Sequence, residues 1–218
     1  MRTLLYIERS WANEKAHPRA GMLTAEEIRT GRQELASHFG PADGGTARWG
    51  ELVTMCPNYE LWRTHLLTII DYCVGEMGID GVYLDTSFIC SCHNTRHGES
   101  PDESTSVRGA LRFHQDLRLI LDDHARRRRA PVLLLNHYWD QHSAPLCGLS
   151  DFTMPGEQDA HKLLKRMTPE NVAFGYSAIP NGVNCIWYSS DTYDYTSPQV
   201  YNDAADCGAV IWLRPYVD

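Results

Sequence analysis

Short apolar runs alternate with longer amphipathic segments along the middle of the chain, and this alternation constrains the fold more than any other feature. Apolar residues recur at intervals of three and four over residues 61–74, which predicts a helix, and the apolar run 81–84 predicts a buried strand. The pattern repeats, because helical spacing over residues 107–124 precedes the apolar run 131–135. Strands that are apolar throughout and separated by helices indicate a parallel sheet covered on both faces.

The rest of the chain extends this pattern. We predict six strands, beginning near residues 4, 81, 131, 151, 172 and 209. Residues 184–189 fit either a strand extension or a loop. Thr24 and Glu27 have the spacing of a capping box at the start of a short helix, and residues 161–167 predict another helix. Residues 11–50 are otherwise rich in glycine, alanine and charged residues, and residues 41–45 predict a loop.

Polar residues follow several of these strands, as Asp85 and His137 do. In a (β/α)8 barrel the active site is built at the carboxyl ends of the strands. A doubly wound sheet would place its site there too, but no glycine-rich phosphate-binding motif is present. We therefore expect an α/β fold of the (β/α)8 TIM-barrel type, forming a single domain over residues 1–218. Since such barrels have eight strands and about 250 residues, we expect about six βα units here and an N-terminal truncation.

Composition narrows the range of partners. The formal net charge of −8 argues against nucleic-acid binding, which depends on clustered Lys and Arg. No window has the length and apolar character of a transmembrane helix, and the N-terminus lacks a signal-peptide pattern. Seven cysteines without a small-domain disulfide rhythm are typical of reduced thiols, so a cytoplasmic setting is the default. The oligomeric state stays open.

Acidic and aromatic residues near the strand ends favour glycoside hydrolysis, which uses two carboxyl groups flanking the scissile bond. Asp85 follows the strand 81–84, while Asp151 begins and Glu157 lies near the end of the segment DFTMPGEQ. Tyr138 and Trp139 are candidates to stack on sugar rings. The alternative for Asp85 is a purely structural role, as a helix cap or in a salt bridge within the barrel.

The loop after Asp85 also carries residue types that bind zinc, namely Cys90, Cys92, His93 and His97. Their spacing fits poorly, because structural zinc sites use two separated ligand pairs and no second pair follows. The favoured interpretation is a loop with buried thiols and hydrogen-bonding imidazoles, and no cofactor or metal is expected. A metal-dependent hydrolase that uses this loop, or His137 with Asp151, stays an alternative.

Four stretches occur in an order that resembles a known family: CPNYELWRTHLLTIIDYCVGEMGIDGVYLD, then CHNTRHG, a helix over residues 108–121, and NHYWDQHSAPLCGLSDFTMPGEQ. Together they look like the catalytic barrel of the bacterial glycoside hydrolase 123-like family over roughly residues 55–160. The loop pattern is matched by Cys92, Asn94, His97 and Gly98. The carboxylate and imidazole positions are matched by Asp85, His137, Asp151 and Glu157.

The resemblance implies a glycosidase that binds carbohydrate at the strand carboxyl ends. Asp85 would be the nucleophile or charge stabiliser, and Glu157 or Asp151 the general acid. Other residues would position sugar hydroxyls or orient the acids, namely Tyr83, Asn94, His97 and His137. Members of the 123 group use a neighbouring Asp-Glu pair with the substrate's N-acetyl group. The Asp-Glu pair of this sequence, Asp102-Glu103, is predicted in the loop after the Asp85 strand and not on a strand end, so that mechanism is not carried over. A carbohydrate-binding or degenerate barrel without turnover is the alternative.

Overall fold

The computed structural model describes residues 3–8, 11–13, 23–32, 48–49, 52–85, 92, 94, 96, 107–138, 146, 148–155, 184–188 and 209–212. Within these ranges the chain forms a parallel sheet, a small antiparallel sheet and three helices. The parallel sheet consists of β1 (Leu4–Glu8), β5 (Gly81–Asp85), β6 (Leu133–Tyr138), β7 (Phe152–Pro155), β8 (Asn184–Tyr188) and β9 (Ala209–Trp212). The antiparallel sheet consists of β2 (Trp11–Asn13), β3 (Arg48–Trp49) and β4 (Leu52–Thr54). The helices are α1 (Ala25–Gly31), α2 (Glu60–Gly75) and α3 (Val107–Arg128).

The parallel sheet has the strand order β1-β5-β6-β7-β8-β9, so each strand lies beside the strand of the sheet that follows it in sequence. α2 precedes β5 and α3 connects β5 to β6. Parallel neighbours need such crossover connections because the chain must return to the same end of the sheet. The α/β fold predicted from the alternation of strands and helices is therefore present.

The two faces of this sheet bury different sets of residues. Val82, Leu84 and Leu134 pack with α2 and α3 in the main core. Residues of the opposite parity, such as Tyr83 and Leu135, form a separate cluster with Met154. Side chains alternate between faces along a strand, so one face is covered by helices and the other is the interior face of the sheet. This division decides which side chains meet at the strand ends.

The helices bury one stripe each, as their sequence spacing predicts. α2 buries Leu66, Ile70 and Val74, and α3 buries Leu117 and Leu121. Burying one such side chain fully contributes about 1.5–3 kcal/mol. The helices therefore hold the sheet from the outside. Among the described helices, none has the length and apolar character needed to cross a membrane.

Several predicted boundaries match the structure closely. α1 begins after Thr24, whose side chain accepts a hydrogen bond from the Glu27 backbone while the Glu27 side chain accepts one from the Thr24 backbone. Within the undecided segment 184–189, Asn184–Tyr188 forms β8, between the strands predicted near residues 151 and 209. The strand predicted near residue 172 and the helix predicted over residues 161–167 lie outside the described residues.

The antiparallel sheet was not predicted. Its strands have only two or three residues each, and such lengths are too short to show a period in the sequence. Pairing between β2 and β4 joins residues 39 to 43 positions apart, which no local pattern reveals. This sheet places residues 52–56 beside the end of α1, where the Cys56 backbone N–H donates to the Gly31 carbonyl over 2.9 Å.

Candidate active site

The carboxyl ends of β1, β5 and β6 bring four polar side chains together. The register pairs Tyr6 with Tyr83 and, two positions further on, the backbone of Glu8 with that of Asp85. β6 continues the row, because Leu84 pairs with Asn136 and so aligns Asp85 with His137. Tyr83 and His137 occupy the alternate strand positions whose side chains lie on the interior face of the sheet. The Asp85 cluster, defined as Tyr6, Tyr83, Asp85 and His137, therefore lies at the carboxyl end of the sheet, where parallel α/β folds place their active sites.

Each carboxylate oxygen of Asp85 accepts a hydrogen bond from a different strand. His137 Nδ1 lies 2.6 Å from Asp85 Oδ1, and the Tyr6 hydroxyl donates to Asp85 Oδ2. Hydrogen bonds donated to a carboxylate favour its ionised form. This geometry suits a carboxylate that acts as an anion, either as a nucleophile or as a stabiliser of positive charge. It suits a proton-donating acid less well.

The hydrogen bonds also assign the protonation of the His137 ring. An ionised carboxylate only accepts, so Nδ1 carries the proton that it donates to Asp85. The Tyr83 hydroxyl lies 3.0 Å from the same nitrogen, and the two rings stack at 6.1 Å between centroids with a 21° interplanar angle. A ring held on one side by a carboxylate and on the other by an aromatic face has little freedom to rotate. His137 thus fixes the orientation of Asp85.

Exposure divides the Asp85 cluster into supporting and accessible members. His137 is 1% exposed and Tyr83 is 8% exposed. The Asp85 side chain is 18% exposed, and Tyr6 is 56% exposed. A ligand can therefore reach Asp85 and Tyr6, while His137 and Tyr83 lie behind them.

The structure does not bring Asp151 to this cluster. Its Oδ2 accepts hydrogen bonds from Arg118 Nη1 at 2.8 Å and from the Leu134 backbone nitrogen at 2.7 Å. Leu134 precedes His137 by three residues, which places Asp151 roughly 10 Å toward the amino end of the sheet. Asp151 comes just before β7 and not after it, so its carboxylate joins α3 to the start of β6. The position gives it a structural role in place of the acid role expected from the sequence.

Asn94 is also occupied by the protein itself. Its side chain is buried, and Nδ2 donates to the carbonyl oxygens of Thr30 at 3.0 Å and of Arg32 at 2.7 Å. Its Oδ1 accepts from the Arg96 backbone N–H at 3.0 Å. These carbonyls lie at the end of α1, where no helical partner remains for them. Asn94 therefore attaches the loop that follows β5 to the end of α1, and its amide has no remaining donor for a sugar hydroxyl.

Other predicted residues cannot be placed in the cluster. Glu157, His97 and Trp139 lie outside the described residues, as do Cys90 and His93 of the suggested zinc loop. Tyr138 is the last residue of β6, where its backbone pairs with Pro155. Within the described part of the chain, no group of three or more His, Cys, Asp or Glu side chains is arranged to hold a metal ion.

Sequence reasoning missed Tyr6, which contributes the second hydrogen bond to Asp85. It lies inside an apolar run, where a tyrosine reads as a residue of the strand core. The signal that could have found it is the alternation of residues along β1, because Tyr6 precedes Glu8 by two residues just as Tyr83 precedes Asp85. Glu8 is the last residue of β1, and its backbone pairs with that of Asp85.

Solved structures resemble the fold of this chain. α-L-Fucosidase isoenzyme 2 from Paenibacillus thiaminolyticus matches 96% of this chain and 33% of its own chain, with a TM-score of 0.60 and 12% sequence identity. The fold is of the (β/α)8-barrel type. A cycloisomaltooligosaccharide glucanotransferase from Paenibacillus sp. matches 90% of this chain and 27% of its own, with a TM-score of 0.54 and 10% identity. The structural neighbours are thus glycoside hydrolase barrels at low identity.

These likenesses concern the fold. The chain spans about a third or less of the length of these two structures. No protein-family model matches the chain, and no curated protein sequence matches it. The choice of the Asp85 cluster as the candidate active site therefore depends on the geometry of its own residues.

Proposed function

We propose that the protein is a glycoside hydrolase in which Asp85 acts at the anomeric carbon of a bound sugar, as nucleophile or charge stabiliser. The observation that carries this proposal is the hydrogen bonding of Asp85, whose two oxygens accept from Tyr6 and His137 while its side chain stays partly exposed. Cleavage of a glycosidic bond passes through an oxocarbenium-like transition state, which a fixed carboxylate stabilises. The fold of the neighbouring structures supports the same class of reaction.

A second carboxyl group is needed to protonate the departing oxygen or to activate water. Glu157, which follows the strand after His137 in the sequence, remains our proposed general acid. Glu8 is a further candidate, because its backbone is in register with Asp85 on the adjacent strand. Asp151 is not proposed for this role, since Arg118 and the start of β6 hold its carboxylate away from the cluster.

We also propose that the family is the glycoside hydrolase 123-like group, on the ordered motifs of residues 55–160. The mechanism assisted by the substrate's N-acetyl group is not part of this proposal. That mechanism needs an acidic pair beside the sugar, whereas β5 ends in the single acid Asp85.

The exposed ring of Tyr6 beside Asp85 also fits a second candidate, a barrel that binds carbohydrate without turning it over. Binding of an oligosaccharide by a protein that cleaves no glycoside would support this candidate.

Turnover of a panel of aryl glycosides, with N-acetylhexosaminides included, tests the proposal. We expect the wild type to hydrolyse one class of glycoside and Asp85→Asn to lose at least ~10³-fold in kcat, because the uncharged amide cannot stabilise the developing positive charge. Asp122→Asn is the matched control, since Asp122 is a 55% exposed acid on α3 that pairs with Arg118 within the same helix. Equal activity of Asp85→Asn and the control would contradict the assignment.

A further inference from the structure

Tyr6 combines two properties that no other described side chain of the Asp85 cluster has. Its hydroxyl donates to Asp85 Oδ2, and its ring is 56% exposed. The ring also meets Tyr83 edge-on, at 5.3 Å between centroids and a 73° interplanar angle. The hydroxyl and the ring edge are therefore both fixed, while much of the ring surface remains open.

The exposure of Tyr6 differs in kind from that of the other exposed large apolar side chains in the described part of the chain. Leu61, Tyr72 and Leu119 lie on α2 and α3, and Met77 lies in the connection between α2 and β5. Singly exposed apolar residues on outer helices are ordinary. Tyr6 instead belongs to the parallel sheet and stands beside a partly exposed carboxylate. An exposed aromatic ring in that position is a surface available to a ligand.

We infer that Tyr6 is a substrate-contact residue, whose ring packs against the C–H face of the sugar while its hydroxyl holds Asp85 toward the anomeric carbon. This inference rests on the proposed function. The ligand class follows from the chemistry, because a pyranose ring has an apolar C–H face for the tyrosine and lies with its acetal carbon near the carboxylate. An amphipathic ring suits this double role, since its body is apolar and its tip is polar. The two contacts fix the side chain in advance, so little conformational entropy is lost on binding.

Two substitutions separate the roles of the hydroxyl and the ring. Tyr6→Phe keeps the ring and removes the hydrogen bond to Asp85, so we expect kcat to fall by about 10- to 100-fold with KM nearly unchanged. Tyr6→Leu also removes the aromatic surface, and we expect KM to rise by a further ~3- to 10-fold. The matched control is Tyr72→Phe, because Tyr72 is 60% exposed but lies on α2, away from the cluster.

A second readout does not depend on turnover. Tyr6 and His137 donate to opposite oxygens of the same carboxylate, so loss of the Tyr6 hydroxyl changes the charge that Asp85 presents to the imidazole. In protein labelled at histidine, we expect the His137 ring resonances to shift in Tyr6→Phe and to stay in place in Tyr72→Phe. A residue without contact to Asp85 would leave these resonances unchanged.

The outcomes distinguish this inference from the proposed function. If the wild type hydrolyses no glycoside, the proposed function fails and the substrate contact fails with it. If the wild type is active and Asp85→Asn is not, but both Tyr6 variants match the wild type in kcat and KM, the inference is overturned and the proposed function stands. Tyr6→Phe keeps nearly all of the side-chain volume, so we expect it to fold as the wild type does. Circular dichroism verifies the fold before either measurement.

Discussion

Gly109 provides a sharp test of the packing that places α3. It lies in the first turn of α3 against the Pro57–Asn58 segment. A Cβ at this position would lie less than 3.0 Å from Asn58 Oδ1, from the Asn58 backbone nitrogen and from the Pro57 carbonyl carbon. Two of these atoms belong to the backbone. Arg63 Nη1 fixes the same segment by donating to the Pro57 carbonyl at 2.8 Å and to the Asn58 carbonyl at 2.6 Å.

The expected cost of Gly109→Ala follows from these contacts. Overpacking costs about 1–3 kcal/mol. We expect a cost of about 3 kcal/mol here, because the backbone atoms that the new Cβ would meet cannot easily move away. Alanine recovers at most about 1 kcal/mol through its higher helix propensity. The free energy of unfolding should therefore fall by about 2 kcal/mol, which corresponds to a drop in Tm of about 4–8 °C for a chain of this size.

Urea denaturation followed by circular dichroism measures this change. Gly148→Ala is the control, because a Cβ there would meet no atom within 4 Å, and its effect should stay within about 0.5 kcal/mol. The m-value should be the same in all three proteins if only the native state is affected. A Gly109→Ala protein as stable as the wild type would refute the close approach of α3 to the Pro57–Asn58 segment.

Two further predictions concern charge. Asp151→Asn should lower the free energy of unfolding by about 1–2 kcal/mol, because the charged hydrogen bonds from Arg118 and the Leu134 backbone are lost. Turnover per folded molecule should stay unchanged. A stable but inactive variant would indicate that Asp151 belongs to the catalytic site. Burial lowers the pKa of His65 below its usual 6.5, an effect that the charge of Glu27 partly opposes. The His65 imidazole then binds a proton more readily in the unfolded chain than in the folded protein. The free energy of unfolding should therefore fall as the pH falls from 6.5 toward the folded-state pKa of His65. His65→Phe, which retains a ring beside Trp62, should flatten this part of the stability–pH curve, and parallel curves for the two proteins would contradict the prediction.

Much of the fold was accessible from the sequence because its signals are local. The run Gly81–Asp85 and the helices on either side of it have strong apolar periods, and the predicted and observed elements overlap closely. The capping residues Thr24 and Glu27 sit three positions apart and need no tertiary information. The pairing of β1 with β5 joins positions 77 residues apart, and the antiparallel sheet is likewise nonlocal. Such contacts depend on chain topology, which periodicity does not encode.

The candidate site shows the same division. Asp85 and His137 follow or end apolar runs in neighbouring strands, so their proximity follows once the parallel order is known. Tyr6 was hidden because its role depends on the register of a distant strand. Asp151 comes before its strand and Asn94 serves the end of α1, so neither is at the carboxyl end beside Asp85. A polar residue next to a strand is thus informative only when the direction of the strand is considered.

Chemical rescue of Asp85 tests the central claim most directly. Asp85→Ala should be inactive toward the aryl glycoside that the wild type hydrolyses. Added azide should restore release of the aryloxide, because it attacks the anomeric carbon from the space of the missing carboxylate and forms a glycosyl azide as the aryloxide leaves. An Asp85→Ala protein that keeps wild-type turnover without azide would contradict the claim that this carboxylate acts on the sugar.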